Sequence, residues 1–339
     1  MKEIIWSRVL KAVSIKRIIN SWKVITSLGL SSITKNCFVW GVPFILTVEP
    51  SVLCNLRCPQ CVTGMGKVNR EKDCLSLNLF KNIIQQLGDR IWHLLLYNQG
   101  EPFLNQNLIE FIDIAKQEGI YVTISTNGHY LRDEEFVQKL VNSGLDTIII
   151  SLDGADPETY LKYRLGGTFH QVVNGIRNLI EIRNRCNSRT PIVLLQCLVM
   201  KHNENRLDQM KQLADRLKVD RLLFKTFQIE SKDEGLHFLP ENPKWRRYSI
   251  NSENLYIKNF VKRGCSRLWY STVILSDGSV VPCCFDKTGK YTFGNIVTTT
   301  SINEIWKSDA YNEFRNKVLR RRGSIRICQN CSQKQKIYL

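Results

Sequence analysis

From residue 44 onward the chain alternates short β-branched runs with longer stretches whose apolar residues recur every three or four positions. The short runs read as strands: "FILTVE" (44–49), "HLLLYN" (93–98), "YVTIST" (121–126), "DTIIIS" (146–151), "VLLQCLVM" (193–200) and "RLLFKTF" (221–227). The longer stretches read as amphipathic helices, among them "LNLFKNIIQQLG", "LIEFIDIAKQEG", "DEEFVQKLVNSG" and "LDQMKQLADRLK". Glycine closes the first three. Strict βα alternation predicts parallel strands with helices packed outside. The alternation stops near residue 228, so the expected α/β fold is a partial (β/α)6 TIM-like barrel over 41–228.

Residues 229–264 are polar, carry two prolines and read as a bridging segment. A small α+β unit is expected over 265–339. Asp277-Gly278 sits between β-rich runs in "STVILSDGSVVPCC", a hairpin signal, and "TSINEIWKSDAYNEFRNKVLRRR" reads as one or two helices. Residues 1–40 form a basic N-terminal helical region. Over 2–25, Ile5, Val9, Ala12, Ile15, Ile19 and Trp22 share one helix face, expected to dock on the barrel, with a membrane surface or a partner as the competing destination.

A chain of 339 residues with 43% hydrophobic content can fill one large core and a smaller one. No uncharged stretch reaches the roughly 18 to 20 apolar residues that a spanning helix needs. Lys11, Lys16 and Arg17 interrupt any signal-peptide core. A cytoplasmic location is expected, with a peripheral position at the inner membrane face left open. The net charge of +17 is concentrated at the ends, +6 over residues 1–40 and +8 over 315–339. An enzyme of nucleic acids would carry that charge around its active site, so an anionic membrane or an acidic partner fits the termini better.

Twelve cysteines kept reduced point to metal ligation or catalysis for the clustered ones. Cys37, Cys74, Cys186 and Cys197 read as small buried hydrophobes. Cys54, Cys58 and Cys61 lie within "CNLRCPQC", directly after the first strand, at the rim where barrel active sites are built. Three thiolates can bind three corners of a four-iron cubane and leave one iron without a protein ligand. Zinc with a distant fourth ligand is the competing reading.

This spacing resembles that of the radical SAM superfamily, and the later strand ends match that family in order over residues 44–335. The resemblance implies that the open iron chelates S-adenosylmethionine (SAM) by its amino and carboxylate groups. An electron, supplied by an external reductant such as flavodoxin or ferredoxin, would cleave the sulfonium to a 5′-deoxyadenosyl radical that takes hydrogen from substrate. "YNQGEP" is similar to the Gly-Gly-Glu-Pro motif that holds the methionine ammonium: Gln99 replaces the first glycine, while Gly100, Glu101 and Pro102 match. Glu101 supplies the opposite charge. "STNG" and "SLDG" offer Asn127 and Ser151 as ribose contacts, with turn or cap roles competing. Arg164 resembles the arginine that meets the methionine carboxylate, an exposed helix arginine being the alternative. Adenine is expected near Val199 on the fifth strand.

Cys265, Cys283, Cys328 and Cys331 resemble the SPASM or shorter twitch extension of this family, which holds auxiliary four-iron, four-sulfur clusters. Four cysteines imply one auxiliary cluster, hence two clusters in all; a structural zinc site made of the same four thiolates is the alternative. Cys284 and Asp286 are acid/base candidates, and Lys287 is a further one. An auxiliary cluster that accepts an electron from the substrate radical would make the reaction a net oxidation of a peptide or a small molecule, with a lipid-linked substrate left open. The reading from a different class is a non-enzymatic zinc or Fe–S protein whose basic ends bind nucleic acid or an anionic membrane. It leaves "GEP", "STNG" and Arg164 at successive strand ends unexplained.

Overall fold

The computed structural model of the chain describes residues 12–70, 73–230, 232–251, 254–299, 301–331 and 337–338. Helix α1 (Ile15–Thr34) precedes six parallel strands: β1 (Ile45–Val48), β2 (His93–Leu95), β3 (Tyr121–Thr126), β4 (Thr147–Ser151), β5 (Ile192–Val199) and β6 (Arg221–Thr226). Between them run α2 (Leu77–Leu87), α3 (Leu108–Gln117), α4 (Glu134–Asn142), α5 (Phe169–Arg185) and α6 (Leu207–Leu217). Ser76 and Asp133 start α2 and α4 by accepting the amides of Leu79 and Phe136. Along β5 the burial alternates. Val193, Leu195, Cys197 and Val199 are 0% exposed within the main core, whereas Gln196 and Leu198 face the barrel interior.

The segment after β6 is more than a linker. It carries the hairpin β7 (Tyr248–Asn251) and β8 (Asn254–Ile257), and it buries Trp245 edge-on against Phe224 of β6. Nor does the C-terminal unit stand apart from the barrel. β9 (Ser271–Ile274) pairs in parallel with β1, β10 (Val280–Val281) returns beside it, and β11 (Ile337–Tyr338) pairs with β6 at the opposite edge. A single sheet of nine strands results, in the order β10-β9-β1-β2-β3-β4-β5-β6-β11. The expected turn at Asp277-Gly278 joins β9 to β10, with Gly278 at φ +85°.

Helix α1 docks by the face opposite to the one expected. Arg17, Asn20, Val24, Ser27 and Ser31 are buried, while Ile15, Ile19 and Trp22 are 77%, 48% and 63% exposed. Of the others assigned to the docking face, Ala12, before the helix, is buried, and Ile5 and Val9 lie outside the described residues. The surface beneath explains the inversion. Gly88 and Glu118 are the C-cap residues of α2 and α3, where helix carbonyls lack partners and the dipole is negative. Arg17 donates to both carbonyls, at 2.9 and 2.6 Å, and to that of Ala12 at 2.6 Å. A surface of orphan carbonyls selects donors, and an isoleucine face offers none. Arg17→Ala should lower the unfolding free energy by about 2–3 kcal/mol, because it strands buried carbonyls. Ile19→Ala should change it by under about 0.5 kcal/mol. Urea denaturation of the two variants checks the assignment, and the opposite ranking would refute it.

Candidate active site

Loops at the carboxyl ends of the strands enclose a cavity of about 380 Å³. Cys54, Cys58 and Cys61 line it from the loop after β1, with Gln99, Gly100 and Glu101 from the loop after β2. Asn127 lines it from beyond β3, Ser151 from the last position of β4 and Arg164 from beyond β4. Pro102 and Val199 do not. Pro102 begins a buried 3-10 turn, and Val199 points into the core behind β5. Of the two neighbours at the end of β5, Leu198 and not Val199 presents its apolar side chain to the cavity.

The two loops are stitched together. The Glu101 amide donates to the Leu53 carbonyl at 2.7 Å, next to Cys54. Gly100 has φ +71°, and a Cβ on it would lie 2.6 Å from the Leu53 oxygen, so only glycine fits. Gln99 is not among the residues with positive φ, and its side chain is accommodated where the family motif has glycine. Its amide donates at 3.2 Å to Glu49, a buried carboxylate that also accepts from Asn98 Nδ2 at 3.0 Å and pairs with Arg70. Glu49 was not singled out in the sequence, although a charge ending the apolar run "ILTVE" was the available signal.

Glu101 is 1% exposed and accepts from Thr126 Oγ1 at 2.7 Å and from the Asn127 amide at 2.8 Å. Burial pushes its carboxyl up to about 7, against the lowering pull of those bonds and of Arg164. The Asn127 side chain bonds Asn55 Oδ1 at 2.7 Å and His129 Nδ1 at 2.9 Å, and its amide nitrogen is 4.0 Å from Cys54 Sγ. Arg164 is no exposed helix residue. Asp153 Oδ2 accepts from its Nε at 2.7 Å and its Nη2 at 2.6 Å, and Nη1 lies 4.0 Å from Cys58 Sγ. Burial opposes the Arg164 charge, but Asp153 and then Cys58 outweigh it and hold the guanidinium well above its ordinary value. Asp153, the missed partner, is the third residue of "SLDG".

Burial pushes the Cys54 thiol up to about 11 and Cys58 up to about 12, so loading metal must drive protons off them. Around the cysteine loop, Leu56, Tyr163, Phe227 and Leu239 form an apolar cluster of their own. In the C-terminal unit, burial pushes Cys283 well above the ordinary thiol range and Cys328 up to about 11. Cys265 acts electrostatically on both of them and on Cys331. Among the described residues no three Cys, His, Asp or Glu side chains close around a single ion.

Neither acid/base candidate lines the cavity of the three cysteines, although Asp286 lines a neighbouring one. Asp286 is 1% exposed and spends its oxygens on the amides of Lys290 at 2.9 Å and Tyr291 at 2.7 Å. Cys284 Sγ accepts from Arg267 Nη1 at 3.4 Å, and neither residue lines the cavity of the three cysteines. Lys287 does line it. A carboxylate followed by a glycine-containing loop serves as the loop's own cap, which sequence alone does not separate from a catalytic acid.

The sequence pattern of the radical SAM superfamily matches residues 48–218. The chain belongs to that superfamily. A second match, over residues 265–332, is to SPASM, an iron-sulfur cluster-binding domain. Mycofactocin maturase MftC of Mycobacterium ulcerans is 31% identical over 174 residues, 51% of this chain but only 45% of that relative. PqqA peptide cyclase of Rhizobium meliloti is 24% identical over 315 residues, 86% of this chain and 80% of the relative. The crystal structure of BtrN in complex with AdoMet and 2-DOIA shares the fold, with TM-score 0.53 at 21% identity over 87% of this chain and 97% of that one. This radical SAM enzyme thus uses SAM and iron-sulfur clusters, and its C-terminal cysteines belong to a SPASM domain.

SAM affinity should depend on the Glu101 charge. With its pKa raised to about 7, this carboxyl is about half protonated near neutral pH, and an ammonium needs the carboxylate. For an ammonium held by Glu101, binding should weaken about tenfold per unit well below pH 7, and should fall again above about pH 8 where an α-ammonium deprotonates. Equilibrium dialysis with labelled SAM on the reconstituted enzyme checks this, and Glu101→Gln should bind weakly with the acid-side slope gone.

Proposed function

We propose that this radical SAM enzyme is an oxidoreductase acting on a peptide or a small molecule. Cys54, Cys58 and Cys61 would hold the SAM-binding cluster, and Cys265, Cys283, Cys328 and Cys331 one auxiliary cluster. The observation that carries the proposal is the meeting, in one cavity, of three thiols with a buried acceptor, Glu101, and a buried cation, Arg164, that match the two ends of a zwitterion. Clusters and SAM bound there supply the hydrogen-abstracting radical, and a flavodoxin or ferredoxin is the fitting electron donor. Net oxidation takes one hydrogen atom from substrate, which the 5′-deoxyadenosyl radical would receive, then one electron, which the auxiliary cluster would accept, and one proton, which would pass to solvent. The chain's own part is to orient SAM and to exclude water with the apolar cluster around the cysteine loop.

A peptide is favoured by room as well as by relatives. A second cavity of about 570 Å³ adjoins the first, sharing Val62, Gln228 and Lys287. Iron analysis under anaerobic conditions tests the reading. The wild type should hold about eight irons, falling to about four in Cys54→Ala/Cys58→Ala/Cys61→Ala, with 5′-deoxyadenosine formation lost. Stoichiometric zinc without iron would overturn it.

The outward face of α1 supports a location. Ile15, Ile18, Ile19, Trp22 and Ile25 are 77%, 52%, 48%, 63% and 61% exposed, and Lys16 and Lys23 flank them. Arg320, near the end of helix α7 (Asp309–Arg321), bonds the Lys35 carbonyl and adds charge beside the end of α1. An apolar stripe edged with cations fits an anionic bilayer. No helix among the described residues is long and apolar enough to cross a membrane. The full-length protein should co-sediment with vesicles containing phosphatidylglycerol and not with pure phosphatidylcholine. Ile19→Glu/Trp22→Glu should abolish that; unchanged sedimentation would exclude this face.

A further inference from the structure

Two cations, Arg247 buried and Lys225 half-buried, line the cavity, and among the described residues no carboxylate is bonded to either. Lys225 extends from β6, and its ammonium has no hydrogen-bond or ion-pair partner among the described residues. Arg247, just before β7, is 6% exposed. It donates from Nη1 to Gln228 Oε1 at 3.1 Å and from Nη2 to the Thr226 carbonyl at 3.4 Å, while its buried Nε has no partner. The Glu230 carboxylate acts on Arg247 at a distance, and it is itself engaged by Lys287 and by Gln228 Nε2. Burial pulls both cations below their ordinary values. Unanswered charge at such depth costs stability, and sites that receive a charged ligand are where such a cost persists.

SAM does not account for the pair. Arg164, the cation beside the cysteine loop, feels Asp153 and Cys58. Lys225 and Arg247 instead feel Cys284, and Arg247 also Cys331, so they stand toward the auxiliary cysteines. We propose that Lys225 and Arg247 form a subsite for an anionic oxygen group, a carboxylate or a phosphoryl, carried by the substrate. This rests on the function proposed above. An arginine with an open Nε and a flexible ammonium are complementary to either group.

The test uses the anaerobically reconstituted, SAM-loaded enzyme, titrated by calorimetry with inorganic phosphate and, separately, with acetate. One of the two anions should bind, and Lys225→Met and Arg247→Met should each weaken it about tenfold or more, with Lys225→Arg retaining most of the affinity. Tighter phosphate assigns a phosphoryl group, and tighter acetate a carboxylate. Failure of both anions to bind, or binding unchanged in both methionine variants, overturns the subsite. So does a parallel loss of SAM affinity, which would give the cations to SAM. In the wild type the bound anion should also slow acylation of the Lys225 amine, read by mass spectrometry, so the test survives a variant that does not fold. Wild-type SAM cleavage, measured alongside, decides the function proposed above independently of these outcomes.

Discussion

The site depends on the close approach of the Gly100 backbone to the chain at Ser51–Leu53. No side chain fits in that gap, and the amide of Glu101 fills it with a 2.7 Å bond to Leu53. The residue bonded is the one before Cys54, so the carboxylate loop and the thiol loop cannot move independently. Glu49 reinforces the joint from beneath. Its two oxygens reach the Gln99 amide, Asn98, Arg70 and the amide of Ser276 in the C-terminal unit. A single buried carboxylate therefore ties the first two strand ends to the hairpin that continues the sheet past β1.

Orphan backbone groups govern the other end of the barrel. Carbonyls at the ends of α2 and α3 draw Arg17 inward, and that contact turns the isoleucine face of α1 outward. An amphipathic pattern by itself says which residues share a face and not which face is covered. The same residues that looked like a docking surface on the protein are the ones left for something else.

The barrel was legible because its information is periodic. Six β-branched runs and the helices between them come within a few residues of the observed elements, and "CNLRCPQC", "GEP" and "STNG" stand at the rim where strand order puts them. What stayed illegible depends on pairings distant in sequence. Asp153 and Arg164 identify each other only once folded, as do Glu49 and Ser276, and β9 joins β1 from the far end of the chain. Two further features are set by place: Val199 faces the core where its neighbour Leu198 faces the cavity, and Asp286 accepts from the amides of its own loop. Burial and satisfaction are properties of a place, and the alphabet of residues does not carry them.

The cavity treats its cations in two ways, and that difference says most about what enters it. Arg164 is paired in advance with Asp153 beside Cys58, so the pair carries little net charge before a ligand arrives. Lys225 and Arg247 have no such companion, and the polar groups within reach of Arg247, a glutamine oxygen and a backbone carbonyl, carry no formal charge. A ligand that is neutral overall would leave this second end as costly as before. Substrate recognition in this enzyme is therefore expected to follow charge first and shape second, with the negative group anchored toward the auxiliary cysteines and the reacting carbon held toward the three thiols of the loop after β1.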